Sequence, residues 1–192
     1  LAKEAKNSGA DYVKIQNYDP ESIVTKSTPK ASYQRNPNNY NEKMYTLLKK
    51  NHFSFLKTEK FIKYCKKIKI KFLSSPFDEK SFNFLKKNQL NLIKIPSGEI
   101  TNFLLLKSIA KYRRKIILST GMSNLVEVKN AIKFMSQQGL SKNKITILHC
   151  TSQYPTKPKD VNLNAMLTLK KKLNLDVGLS DHTLGFESSI CA

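Results

Sequence analysis

The amino-acid sequence predicts an α/β fold of parallel strands covered by helices, on three observations. Short runs rich in Val, Ile and Leu alternate with amphipathic stretches. Each run ends in a polar cluster, as expected where a parallel sheet builds its binding face. Six such runs are visible, so an eight-stranded barrel needs one strand before Leu1 and one after Ala192. The chain therefore reads as an incomplete (β/α)8 TIM barrel, a single partial domain over 1–192 with its first and last strands missing.

The elements follow in order. Residues 1–8 read as a helix leading to Gly9 and a first strand over 11–16. Residues 17–51 break the rhythm with Pro20, Pro29, Pro37 and an Asn-rich centre; a connection longer than about 15 residues is a functional loop or a disordered insertion. Phe61, Ile62, Cys65 and Ile68 fall at helical spacing before a strand over 70–74. Asp78 and Glu79 suit the first turn of the next helix, whose spacing takes in Phe82, Leu85 and Lys86. Strands follow over 92–95 and 115–119. Ser123 is expected to cap a helix with Val126, Ile132 and Met135 as apolar positions and Gly139 at its end. After a strand over 144–149, Asn162 or Asn164 caps a helix carrying Met166, Leu167, Leu169 and Leu173. A strand over 176–179 and a short helix within 185–192 complete the chain.

Composition narrows the class of function. With 192 residues, 40% of them hydrophobic, the chain can bury one sizeable core. No apolar run reaches the roughly 18 residues of a membrane span, and the N-terminus lacks a signal-peptide pattern, so no membrane partner and a cytoplasmic location are expected. Cys65, Cys150 and Cys191 are too dispersed for a disulfide framework or a zinc knuckle and read as reduced, part-buried thiols. The net charge of +20 invites a nucleic-acid reading. Its texture argues against one: the charge is almost wholly Lys scattered over helix faces, with only Arg35, Arg113 and Arg114, whereas base readers favour the forked guanidinium.

The chemistry collects at the carboxyl ends of the strands. Lys14 and Gln16 end the first, Ser74-Ser75-Pro76 the second, and Lys94-Ile95-Pro96-Ser97-Gly98-Glu99 the third. Ser119-Thr120-Gly121, His149-Cys150-Thr151-Ser152 with Tyr154-Pro155 beyond, and Ser180-Asp181-His182-Thr183 end the rest. Lysines within apolar strands are costly unless paired, and an ammonium at such a rim suits an anion. Hydroxyls and glycine-softened turns supply phosphate donors, so a small phosphorylated ligand is expected. The plainer alternatives stay open: Ser and Thr after strands are ordinary turn formers and caps, and Lys14 can snorkel to solvent. His149 reads as a satisfied core histidine; His182, in a polar corner on the expected rim, reads as a candidate ligand for a divalent metal.

Six motifs in order carry a resemblance: Asp11-Tyr12-Val13-Lys14-Ile15-Gln16, Ser74-Ser75-Pro76-Phe77, Lys94-Ile95-Pro96-Ser97-Gly98-Glu99, Ser119-Thr120-Gly121-Met122-Ser123, His149-Cys150-Thr151-Ser152-Gln153-Tyr154-Pro155 and Gly178-Leu179-Ser180-Asp181-His182-Thr183. Together they resemble the N-acetylneuraminate (sialic acid) synthase family, whose members also make legionaminic and pseudaminic acids, over nearly the whole chain. The resemblance implies condensation of phosphoenolpyruvate with an open-chain N-acetylated aldehyde sugar, using a divalent metal, Mn or Mg. It implies that Lys14, Ser75, Lys94, Ser97, Ser119 and Ser180 bind phosphoenolpyruvate. Glu99 would lie near the reacting carbons, His182 would be one of two metal histidines, and Gln16, Ser152 and Tyr154 would face the sugar.

This sequence also departs from the family. The second metal histidine, in a Glu-Lys-His or Glu-Arg-His segment, the Asn-His-Asn-Gly region of the first strand, and the C-terminal antifreeze-like (SAF) domain that completes a partner's site in family homodimers are absent from it. The polypeptide alone is therefore expected to be inactive. Ser75 stands where some relatives have Thr, and Ser152 where sialic acid enzymes often carry Asn, which leaves the sugar undecided. A keto-deoxy sugar-phosphate synthase must grip a second phosphate, usually with Arg, and the scarcity of Arg disfavours it. A basic nucleic-acid-binding module would need none of the strand-end hydroxyls.

Overall fold

The computed structural model describes residues 1–35 and 41–192; Pro37 of the long connection lies outside the described residues. The chain forms two compact units, Leu1–Leu90 and Asn91–Ala192. Among the described residues no helix is long and apolar enough to cross a membrane.

In the first unit, α1 (Ala2–Asn7) turns through Gly9, at φ 84°, into β1 (Tyr12–Asn17), which pairs in parallel with β2 (Lys71–Pro76). Both strands run past the predicted ends, because the ladder continues to the Asn17–Pro76 pair. The connection predicted over 17–51 carries built structure at its described residues: α2 (Pro20–Ile23), a 3-10 turn over Ser32–Gln34 and α3 (Met44–Asn51). Asp19 starts α2 by accepting from the Glu21 N–H at 3.3 Å, with Pro20 at the first helical position where a missing N–H costs nothing. Pro29 and Lys43 form an antiparallel bridge, and Lys30, 2% exposed, pairs with Glu42 at 3.1 Å.

α4 (Phe55–Lys67) closes one face of this pair of strands. Asn17 donates to Thr58 Oγ1 at 2.8 Å and accepts from Ser74 Oγ at 2.7 Å, while Phe61 meets Phe72 edge to face. α5 (Glu79–Lys87) begins at Asp78, which accepts from the Ser81 N–H and hydroxyl, and buries Phe82 and Leu85; Lys86 is exposed.

The second unit is a parallel sheet in the order β3 (Leu92–Ile95), β4 (Lys115–Ser119), β5 (Ile145–His149), β6 (Asp176–Leu179). α6 (Phe103–Lys111), α7 (Leu125–Gln137), α8 (Asn164–Leu173) and α9 (Glu187–Cys191) alternate with it. Register puts Ile93, Ile95, Ile116, Leu118, Ile145 and Ile147 on one face, all buried. Leu105, Leu106 and Ile109 of α6 and Val128, Ala131, Ile132 and Met135 of α7 add to that core. The same register puts Lys94, Ile117, Ser119, Leu148 and Gly178 on the other face.

Several expectations about these helices are corrected. α7 is capped by Asn124, not Ser123: its Oδ1 accepts from the N–H groups of Val126 and Glu127, and Glu127 returns a bond to the Asn124 N–H. Val126 then falls off the apolar stripe and is 65% exposed, whereas Ile132 and Met135 are buried as expected. Neither Asn162 nor Asn164 caps α8: Leu163 precedes the first turn without a side-chain cap, and Asn162 takes a left-handed φ of 48°. Leu167 points outward, and of the three thiols Cys191 is exposed while Cys65 and Cys150 are buried.

Candidate functional site

The second unit gathers its expected residues at the carboxyl ends of its strands. The Lys94 ammonium, from β3, donates to Ser180 Oγ just beyond β6 at 3.3 Å. Those strands are three spacings apart, about 14 Å across a flat sheet and more than a lysine spans, so the contact requires the sheet to curl with this face inward. Ser180 Oγ lies 3.4 Å from His182 Nε2, and His182 Nδ1 lies 2.7 Å from the Thr151 carbonyl. A carbonyl only accepts, so Nδ1 carries the hydrogen and Nε2 is the acceptor in the neutral ring. Lys94, Ser180, His182 and Thr151 thus form one chain of hydrogen bonds running in a single direction.

The neighbouring loops complete the rim. Ser97 and Ser152 hydroxyls meet at 3.3 Å, and the exposed Tyr154 ring covers the His182 imidazole at a centroid distance of 4.2 Å. Asp181 accepts from the Ser189 hydroxyl and from Thr183; these bonds hold its carboxyl below the usual carboxylate range and fix the corner that presents His182. Glu99 sits in the turn after β3, where its Oε2 accepts from Asn102 Nδ2 at 2.7 Å. His149 is half-buried rather than in the core, and its ring is satisfied, with Nε2 2.7 Å from the Val161 carbonyl.

Two observations describe what this face lacks. Burial pushes the Lys94 amine below the ordinary 10.5, with only a smaller opposing contribution from the Cys150 thiol. Ser119 Oγ is buried and finds no hydrogen-bond partner among the described residues. An orphaned buried hydroxyl costs about 1–3 kcal/mol, and an oxygen-rich anion would satisfy both groups.

Lys14, Gln16 and Ser75 belong to the first unit. Gln16 and Ser75 are register partners; Lys14 and Gln16 are exposed, and Ser75 is 1% exposed.

Sequence reasoning missed Asn102, and it placed Gly121, Cys150 and Thr151 in the strand-end clusters without a role for the Cys150 thiol, the Thr151 carbonyl or the Gly121 backbone. The Gly121 N–H donates to Cys150 Sγ at 3.2 Å. A methyl group on Gly121 would lie 2.7 Å from Cys150 Sγ and Ser152 Oγ and 2.8 Å from the Cys150 carbonyl. The carbonyl is backbone and yields little, so Gly121→Ala is expected to lower stability by roughly 1–3 kcal/mol, read as the midpoint of urea unfolding.

For a divalent metal, His182 is a fitting single ligand. Its Nδ1–H on a carbonyl is the arrangement that fixes the tautomer and ring of a metal-bound histidine. Among the described residues no group of three or more His, Cys, Asp or Glu side chains is placed to hold an ion.

The sequence model of the NeuB family matches residues 1–192. The N,N'-diacetyllegionaminic acid synthase of Campylobacter jejuni is 42% identical over 192 residues, covering 100% of this chain and 58% of that protein. Its counterpart in Legionella pneumophila is also 42% identical, over 96% of this chain and 54% of that protein. Among solved structures, the N-acetylneuraminic acid (sialic acid) synthetase of Leptospira borgpetersenii, crystallised with citrate, superposes with a TM-score of 0.81 at 28% identity, over 97% of this chain and 60% of that one. The chain spans little more than half the length of the curated relatives named here. With the strand-end motifs in place and a match that leaves no residue outside it, the chain belongs to the NeuB family.

Proposed function

We propose that the protein is a nonulosonic acid synthase, condensing phosphoenolpyruvate with an N-acetylated hexosamine-type aldehyde sugar, N-acetylmannosamine or a relative, and releasing phosphate. The observation that carries this reading is the directed chain from Lys94 through Ser180 to His182 on the concave face. Lys94, Ser97, Ser119 and Ser180 would hold the phosphate and carboxylate of phosphoenolpyruvate, the anion that the depressed lysine and the orphaned hydroxyl call for. Carbon 3 attacks the aldehyde carbon, the aldehyde oxygen takes up a proton, water adds at carbon 2, and phosphate leaves by cleavage of the carbon–oxygen bond.

Glu99 would stabilise the cationic character that develops at carbon 2 or move a proton there. Ser152 and Tyr154 would contact the sugar. His182 Nε2 would be one ligand of a divalent metal, Mn or Mg, which when bound supplies Lewis-acid polarisation of the aldehyde oxygen. Lys14 and Ser75 as phosphoenolpyruvate ligands, Gln16 as a sugar contact, and the (β/α)8 barrel that would unite them rest on the family resemblance.

The test is a coupled phosphate assay on the protein with its flanking segments. Release from phosphoenolpyruvate is expected only with both an N-acetylated amino sugar and a divalent metal; equal release with a sugar phosphate overturns the proposal. Binding should also depend on pH. An anion favours the charged amine, so phosphoenolpyruvate affinity is expected to hold while Lys94 is protonated and to weaken as pH rises through its depressed pKa, below 10.5. Calorimetric titration across alkaline pH checks this, and Lys94→Met should remove the dependence.

A further inference from the structure

We propose that Asn102 is a positioning residue for this reaction, holding the Glu99 carboxylate in place from the first turn of α6. The inference rests on the catalytic reading of Glu99 given above. Asn102 is the N-cap of α6, and its Oδ1 accepts from the Leu105 N–H at 3.2 Å. That bond leaves the amide no choice of orientation: the oxygen is committed to the helix, so Nδ2 faces Glu99 Oε2 at 2.7 Å. The Asn102 backbone N–H also donates to the Glu99 carbonyl at 3.0 Å, so one residue grips both ends of Glu99.

The arrangement links a rigid element to a group on a short turn. Glu99 sits at the end of the 3-10 turn Ser97–Glu99, a three-residue element just before the nine-residue helix α6. α6 is anchored by Leu105, Leu106, Ile109 and Ala110, each at most 1% exposed. The Asn102 amide carries that rigidity to the carboxylate, the support a reacting group needs to stay within about 0.5 Å of a productive geometry. Any good N-cap serves the helix, but of Asn, Asp, Ser and Thr only Asn caps through its oxygen and also offers an N–H.

That difference separates positioning from capping. Asn102→Ser and Asn102→Asp keep a cap oxygen and lose the amide donor, and the aspartate adds a like charge against Glu99. Both are expected to melt near the parent temperature. Turnover in the phosphate assay should fall about tenfold in Asn102→Ser and further in Asn102→Asp, with the KM for phosphoenolpyruvate nearly unchanged. Asn102→Ala should lose stability as well as turnover. If Asn102 is only a cap, the serine and aspartate variants turn over like the parent, and the proposal is overturned. A parallel Glu99→Gln variant separates the two layers: undiminished turnover there sinks the reading of Glu99, whereas a dead Glu99→Gln beside a fully active Asn102→Ser sinks the assignment of Asn102 alone.

Discussion

On the proposed function, Lys94→Met is expected to lower phosphate release from phosphoenolpyruvate by roughly 10²–10³-fold, the loss typical when one preorganised donor to developing charge is removed. The expectation follows from the position of the amine. It is half-buried, depressed by desolvation, and bonded to the Ser180 hydroxyl at 3.3 Å, with no carboxylate ion pair among the described residues. Such a charge is held partly against its own hydration, and an anionic ligand would offset the cost that the Ser180 hydroxyl leaves. Methionine keeps the length and apolar stem, so the variant should fold at least as well as the parent, and thermal unfolding should separate lost chemistry from lost structure. Lys94→Arg is not expected to rescue, because a planar fork does not reproduce the compact point charge of an ammonium.

His182→Asn is the second large effect. Asparagine can keep a donor toward the Thr151 carbonyl, which His182 now reaches at 2.7 Å, but has nothing at the position of Nε2. The loop should therefore stay in place while the proposed metal ligand is lost. Removing a supporting partner of a metal ligand typically costs 10–100-fold in affinity or activity, and removing the ligand itself is expected to cost more than 100-fold. Manganese affinity, followed by electron paramagnetic resonance, should weaken in parallel with turnover. Unchanged manganese binding in this variant would leave His182 as a loop anchor under the Tyr154 ring.

The strands were legible because their chemistry is local. Three of the six predicted spans, over 92–95, 115–119 and 176–179, coincide with the observed strands, and β5 differs by one residue. Polar strand ends marked Lys94, Ser97, Ser180 and His182 as candidates, and Lys94, Ser180 and His182 are linked by contacts while Ser97 meets Ser152. What escaped was set by backbone partners. No sequence pattern announces that the Thr151 carbonyl orients His182, or that Gly121 is pressed against Cys150.

Some misses had a readable signal. Asn124 followed by Glu127 is a capping-box spacing, and Asp19-Pro20 is a helix start inside a segment whose prolines looked like breakers. Asn102 could be suspected as a cap from its place before Phe103–Lys111, but its grip on Glu99 depends on a three-residue turn that only coordinates reveal.

The most direct measurement is a crystal structure of the protein with phosphoenolpyruvate and manganese bound. The proposed function requires a phosphate or carboxylate oxygen of phosphoenolpyruvate within hydrogen-bond distance of Lys94 Nζ, a second oxygen on the Ser119 hydroxyl, and the ion on His182 Nε2. Phosphoenolpyruvate seated on another surface, or an ion that leaves Nε2 untouched, would contradict it.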